Sequence, residues 1–344
     1  MLPLNFINRL RTRFPATNAG LRTLLVVGLH SLSLFWVVSL LARFCPPSAV
    51  GAYVFGYAVS APIIMFLNFR LRIVLANDVG AVDHTWAFVK FRAITSVFAL
   101  TVIGALSLLW MGPTEKAAVV ILVGAAKAVE AMSDICHGGV QRLQLTHVVE
   151  RSILFRALST LAGTSIVIPL MHSVVAATAT VLLLWTVQLA FDLRRLQQRC
   201  PHAGTQPLSP AYFWNTARHF SSLGLVALLA SVAYNVPRFF IAGYSPESDL
   251  GYYGVIAYFG LVIGMVATAA TESTVPGITQ RHRLASSTGS YLAAVRRVYA
   301  VIAGFGITCV LLSLIWGQAL LQLFFGVDYA KHLDAFIVIQ LASI

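Results

Sequence analysis

The run "AKAVEAMSD" sets Lys127, Glu130 and Asp134 three and four residues apart inside a long apolar stretch, 117–138. At about 100° per residue of helix, the three side chains fall within a sector of about 60° on one face. Such a stripe cannot face hydrocarbon cheaply, so it belongs against protein or a watered cavity. Two chemistries fit it. In the first, the Lys127 ammonium holds an anionic group of a substrate while Glu130 or Asp134 carries a coupling proton or sodium ion. In the second, Lys127 and Glu130 pair to hold helices together, and Asp134 meets water or a neighbouring basic loop. Asn235 and Arg238 form a smaller set, three apart near the end of another apolar run. There the guanidinium can grip a phosphate through two parallel hydrogen bonds, or snorkel to lipid headgroups. Arg70 and Arg72 close a third run, where an anionic headgroup would first arrive and where topology anchoring is the simpler role. No H-E-x-x-H pair, phosphate-cradling loop or nucleophile elbow occurs, and the nine histidines lack metal-ligand spacing. The cysteines, Cys45, Cys136, Cys200 and Cys309, form no C-x-x-C pair. Neither catalytic chemistry nor a metal or cofactor is expected.

The elements that must position these groups are membrane helices. Of the 344 residues 58% are hydrophobic and 10% charged, with a mean hydropathy of +0.81, whereas soluble domains are about a quarter charged. Apolar runs long enough to cross a bilayer core fall at 23–43, 49–69, 93–110, 117–138, 153–171, 173–191, 220–242, 250–270 and 298–323. A tenth begins near Ala335 and reaches only Ile344. About ten residues of helix rise ~15 Å, half a bilayer core, so a truncated chain is expected. The basic start resembles a signal peptide but lacks a small-residue cleavage site, and span 1 is kept in the mature protein. The net charge of +12 is topological. With the N-terminus in the cytoplasm, most Lys and Arg fall at inner span ends, Arg156 among them, while the outer ends hold Arg43, Lys116, Arg238 and Lys331. Nucleic acid is therefore not an expected partner. Trp36, Trp110, Trp185, Trp214 and Trp316 sit toward span ends and suit aromatic belts against membrane lipids. The segment 210–222, "PAYFWNTARHFSS", suits a short amphipathic stretch along the inner surface before span 7.

The loop "RFCPPSAVGAY", Arg43 to Tyr53, has an echo displaced by 200 residues without a gap, "GYSPESDLGYY". Pro46, Ser48, Gly51 and Tyr53 match Pro246, Ser248, Gly251 and Tyr253. Six spans separate the copies, and an even number restores orientation, so the pattern predicts parallel repeats with a site between halves. The expected fold is an all-α polytopic membrane protein of two parallel six-helix bundles, the second incomplete, with about nine or ten helices present. Residues 1–192 would form the first bundle, 193–219 a cytoplasmic linker with the amphipathic lead-in, and 220–344 the second bundle.

"LARFCPPSAVGAYVFGYA" and "YNVPRFFIAGYSPESDLGYYGVIAY" resemble the openings of the two halves of bacterial polysaccharide flippases, in the multidrug/oligosaccharidyl-lipid/polysaccharide exporter superfamily. Asn235, Arg238, Gly243, Pro246, Glu247, Gly251 and Tyr253 stand at that family's motif positions, with Pro237 in place of an acidic residue, a site for a helix kink. "GGVQRLQ" is similar to the family's cytoplasmic loop at Gly139 and Arg142 and departs from it at Gln141 and Gln144. The resemblance implies an inner-membrane transporter, not an enzyme, that passes an undecaprenyl-pyrophosphate-linked repeat unit of O-antigen or exopolysaccharide to the outer leaflet. It also implies coupling to H+ or Na+ and work beside other polysaccharide-assembly proteins. Lys127, Asn235, Arg238 and Arg70 would then line the substrate path, with Glu130 and Asp134 as coupling residues. A cation-coupled multidrug exporter of the same superfamily is the alternative, and a membrane enzyme of glycan assembly stands third because every outer loop is short.

Overall fold

The computed structural model describes residues 16–77, 85–200, 209–260, 264 and 288–342. The far part of the span expected at 250–270 and the last residues of the tenth lie outside them. Twelve helices appear in order: α1 (Ala16–Phe44), α2 (Pro47–Leu67), α3 (Leu71–Asn77), α4 (Thr85–Met111), α5 (Glu115–Arg142), α6 (Thr146–Met171), α7 (Val174–Arg199), α8 (Pro210–Tyr244), α9 (247–260), α10 (Thr288–Phe325), α11 (Val327–Ala330) and α12 (Leu333–Leu341). No strand occurs among the described residues. The chain is an all-α, multi-pass membrane protein. Seven described helices are long and apolar enough to span a bilayer, namely α1, α2, α4, α6, α7, α8 and α10. α5 is as long, at 28 residues, and its charge is what separates it from them.

The starts of these helices follow from their sequences. Thr114, Ser173 and Ser209 each accept a backbone N–H from three residues on, capping α5, α7 and α8. Proline at the first position opens α2 and α8, where its missing N–H costs nothing. With no proline or glycine between Pro210 and Ser222, residues 210–222 are the first turns of one continuous 35-residue helix that runs on through Pro237. They pack on α4, with Phe213 4.6 Å from Phe91 and Phe220 6.4 Å from Phe88 between ring centroids.

Two compact units result, 33–254 and the described parts of 1–32 with 255–344. In the larger, α5 is central and touches α2, α3, α4, α6 and α7. Buried clusters flank it along its length. Ala126, Val181 and Trp185 form one, Ile64, Ala99, Ile103, Val120 and Ala128 a second, and Phe69, Leu71, Leu75, Phe91, Ile135 and Leu196 a third toward its Arg142 end. A charged helix in that position turns its charges onto protein. In the smaller unit, Phe259 is ringed by Phe324, Phe325 and Phe336.

The chain reverses after α2 through two consecutive left-handed residues, Phe69 and Arg70, at φ 47° and 50°. Non-glycine residues there cost about 1–2 kcal/mol each. Burial of the Phe69 ring against Phe91 and a hydrogen bond of 2.6 Å from the buried Arg92 to the Asn68 carbonyl oppose that strain. The reversal lays α3 on α5 where Gly138 leaves room. A Cβ there would stand 3.0 Å from the Arg72 carbonyl oxygen. This close approach sets Arg72 beside α5.

The echoed loops are structural copies. The N–H groups of Cys45 and Ser245 donate to Leu41 and Ile241, both at 2.9 Å, and those of Ala49 and Asp249 donate to Pro46 and Pro246, both at 3.0 Å. The helices that follow then meet reciprocally. A Cβ on Gly51 would land on the Glu247 carbonyl oxygen, and one on Gly251 on that of Pro47. One turn on, Gly254 lies against Val54. Each contact maps onto the other under the displacement of 200, as residues around a two-fold axis do.

Candidate functional site

Lys127 lies about 18 Å along α5 from its start, close to mid-helix. Its ammonium bonds Glu130 Oε2 at 2.5 Å, and the two side chains are 20% and 17% exposed. The other Glu130 oxygen faces Arg156 of α6, 3.7 Å from the guanidinium. Arg156 is 3% exposed, and its Nε and second terminal nitrogen have no hydrogen-bond partner. It lies 5.4 Å over the ring of Trp185 on α7, whose indole N–H donates to Thr160 at 3.0 Å. Lys127 lies 5.7 Å over Tyr57 of α2, and the Tyr57 hydroxyl meets that of Tyr53 at 3.4 Å. One carboxylate therefore serves two cations, each backed by an aromatic face. Taking such ions from water costs several kcal/mol apiece, repaid only by close pairing.

Further along the face, Asp134 accepts from Arg72 of α3 at 3.1 Å. His137 follows, 3.2 Å from Asp192 of α7. Ser152 of α6 donates to Asp192 at 2.6 Å and accepts from Gln188 of α7 at 2.5 Å. α3, α5, α6 and α7 thus meet through these polar groups beside the apolar cluster at this end of the bundle.

Of the residues expected from sequence, Lys127 and Glu130 pair, and Asp134 pairs with Arg72. Asn235 accepts from Arg238 at 2.7 Å within α8, where Arg238 also lies 4.9 Å over Tyr234. Both are buried. Arg70 is exposed at the left-handed turn. Arg156, His137, Ser152, Gln188 and Asp192 were not anticipated as a set, and Arg156 counted as a loop cation. A signal existed. Trp185, Gln188 and Asp192 repeat on α7 the three-and-four spacing of the α5 stripe. Among the described residues no group of three His, Cys, Asp or Glu could hold a metal ion.

These features define a polytopic all-α membrane protein whose central helix carries ionisable groups paired to its neighbours. Its fold is that of a solved multidrug resistance MATE family transporter of the MOP superfamily in an inward-facing conformation. The likeness has a TM-score of 0.58 at 17% identity, covering 90% of this chain and 76% of that one. In sequence the chain is 20% identical over 313 residues, 88% of its length and 76% of the relative's, to the capsular polysaccharide biosynthesis protein CapF of Staphylococcus aureus. No protein-family model matches the chain.

Proposed function

We propose that this protein moves a lipid-linked oligosaccharide across the bacterial cytoplasmic membrane by alternating access. The polar cargo is a glycan on an undecaprenyl-pyrophosphate-type carrier whose prenyl tail stays in lipid. Passing an anionic diphosphate through hydrocarbon requires cations at membrane depth. The observation that carries the reading is the triad of Lys127 and Arg156 on the single carboxylate of Glu130. Lys127 and Arg156 are the cations at depth that an anionic group would meet. The similarity to CapF supports a role in polysaccharide assembly, beside other membrane proteins of that process. Arg70 and Arg72 would meet the headgroup at the cytoplasmic face, and Asn235 with Arg238 would meet it near the outer face. The loop repeat supports two parallel halves, divided near 193–219, that rock about the cavity. The excess of Lys and Arg at the span ends assigned to the cytoplasm supports an N-terminus inside. On this reading the protein is a transporter and not an enzyme, coupled to H+ or Na+. Export of a small cationic drug is the second reading, favoured by the fold of the multidrug transporter and by the carboxylates of the stripe.

The test is the leaflet location of lipid-linked oligosaccharide in cells lacking the gene, read with a sugar-specific probe that cannot enter spheroplasts. Inner-leaflet accumulation is expected, reversed by this chain and not by Lys127→Ala or Arg156→Ala inserted at equal level. Normal exposure of the glycan in the deletion strain would turn the assignment toward drug export.

A further inference from the structure

His137 extends the stripe by one more turn, since Lys127, Glu130, Asp134 and His137 are spaced three, four and three apart. Its ring, 3% exposed, lies between two carboxylates. Nε2 is 3.1 Å from the Ser152 hydroxyl oxygen and 3.2 Å from Asp192 Oδ2, and Nδ1 is 3.9 Å from Asp134 Oδ1. The hydroxyl proton of Ser152 is committed to Asp192 Oδ1, and an N–H of Gln188 points at the same hydroxyl. With that hydroxyl proton given to Asp192, Nε2 must carry a proton to meet the hydroxyl oxygen. Nδ1 is then a bare lone pair, buried without a hydrogen-bond partner, turned toward the Asp134 carboxylate. A second proton would make it a donor facing an acceptor.

The charges around the ring allow this. On α5 there are Asp134 and the neutral Cys136 thiol, and on α7 Asp192, with Arg195 3.8 Å from it but 42% exposed. On α3 Arg72 holds Asp134. Arg92 of α4 and Arg156 of α6 act at longer range on Asp134 and Asp192, and Glu150 of α6 is a further buried acid. Glu130 faces Lys127 and Arg156, and Asp134 faces Arg72. Lys and Arg keep their protons near neutral pH, whereas imidazole changes charge there. A small pocket lined by Cys136, Val148, Val149 and Arg195 reaches the ring, and Arg195, 42% exposed, stands on its rim.

We infer that His137 is a proton-binding site, and that loading it draws Asp134 away from Arg72, freeing that guanidinium for an anionic headgroup. The first half stands on the geometry alone. The second rests on the flippase reading. Proton and anion would then bind in favour of one another, through Asp134 Oδ1, the oxygen that both Arg72 and His137 face.

The experiment uses the full chain in lipid nanodiscs with 15N-labelled histidine, the His137 signal being assigned by its loss in His137→Gln. The expected result is conversion of this ring from imidazole to imidazolium as the pH is lowered. At about pH 6 the protonated fraction should fall about fivefold in Asp192→Asn, since a facing carboxylate favours the cation. An unchanging signal, or equal titration in wild type and variant, overturns the site. Should Asp192→Asn fail to insert, Asp134→Asn, whose side chain is 38% exposed, gives the same readout in the same direction. Inorganic pyrophosphate binding at two pH values then tests the link. Kd should rise from about pH 6 to 8 at least threefold more in wild type than in His137→Gln. Equal rises overturn the link. Absence of pyrophosphate binding at both pH values sinks the flippase reading and the link together, and leaves the ring titration to decide the proton site.

Discussion

The seam between α2 and the start of α9 and the stripe along α5 are both close contacts within one unit, made by opposite means. At the seam, side chains are removed. Gly51 and Gly251 let each helix rest on the other's first carbonyl, and backbone approach of this kind is how helices associate where water drives nothing together. At the stripe, side chains with full charges are added and must be matched. Glu130 answers Lys127 and Arg156, and Asp134 answers Arg72. A seam built from backbone has one closed geometry, to be open or shut. A stripe built from ions can exchange partners, which suits it to hold and release a charged cargo.

Breaking the stripe should cost most. Glu130→Leu removes the carboxylate that both Lys127 and Arg156 face, and loss of one partner of a largely shielded pair costs up to about 3–5 kcal/mol. Thermal unfolding of the purified chain in detergent should show this loss. Combining it with Lys127→Leu should recover part of it, by the coupling that a double-mutant cycle measures. A double variant no better than the single would mean that the pairing contributes little.

Cys45 reports on whether the seam stays shut. It lies in the loop that opens α2, and burial pushes its thiol up to about 11. A raised thiol pKa means less thiolate at a given pH. At about pH 8, two units of elevation predict about 100-fold slower maleimide labelling than for an exposed cysteine. The measurement is made in a variant with Cys136, Cys200 and Cys309 replaced by alanine. Labelling at the exposed rate would show that the loop opens readily.

Gly51→Ala and Gly251→Ala should each cost about 1–3 kcal/mol, because overpacking here meets backbone that cannot rotate away. Their reciprocity predicts equal losses. Gly104→Ala in α4 is the control, with nothing within 4 Å of the added Cβ. It should gain about 0.5–1 kcal/mol through helix propensity. Unequal losses at Gly51 and Gly251 would break the two-fold relation.

How much of each region was legible follows from the same difference. The seam is specified locally, so the repeated Pro, Ser and Gly announced both the turns and their equivalence. What the echo could not announce was that the copies touch, because that needs the intervening helices to be placed. The stripe was legible along α5, where spacing alone puts Lys127, Glu130 and Asp134 on one face. Its partners were not. Arg72 reaches Asp134 only because the left-handed turn at Phe69 and Arg70 folds α3 back onto Gly138. Arg156 lies about 15 Å into α6 by helical rise, although a reading that assigns cations to loops places it outside. The polar residues of α7 carried the right spacing but only one charge, Asp192, where the stripe on α5 carried three.

The smallest effect should come where the two devices meet. Lys116, at the start of α5, pairs with Glu247, whose carbonyl faces Gly51, so the charged helix is tied to the seam. The side chains are 46% and 50% exposed. Water screens a pair of this kind, and ordering two long side chains opposes it, so Lys116→Ala should cost about 0–1 kcal/mol in unfolding. An effect on transport well beyond that loss would show that the pair matters for closing the seam. Raised salt should then weaken the wild type toward the variant, since exposed charges are screened within about 10 Å at 0.1 M salt. The Glu130 triad, largely shielded within the bundle, should respond far less, and a matching salt response at both places would erase the distinction between seam and stripe.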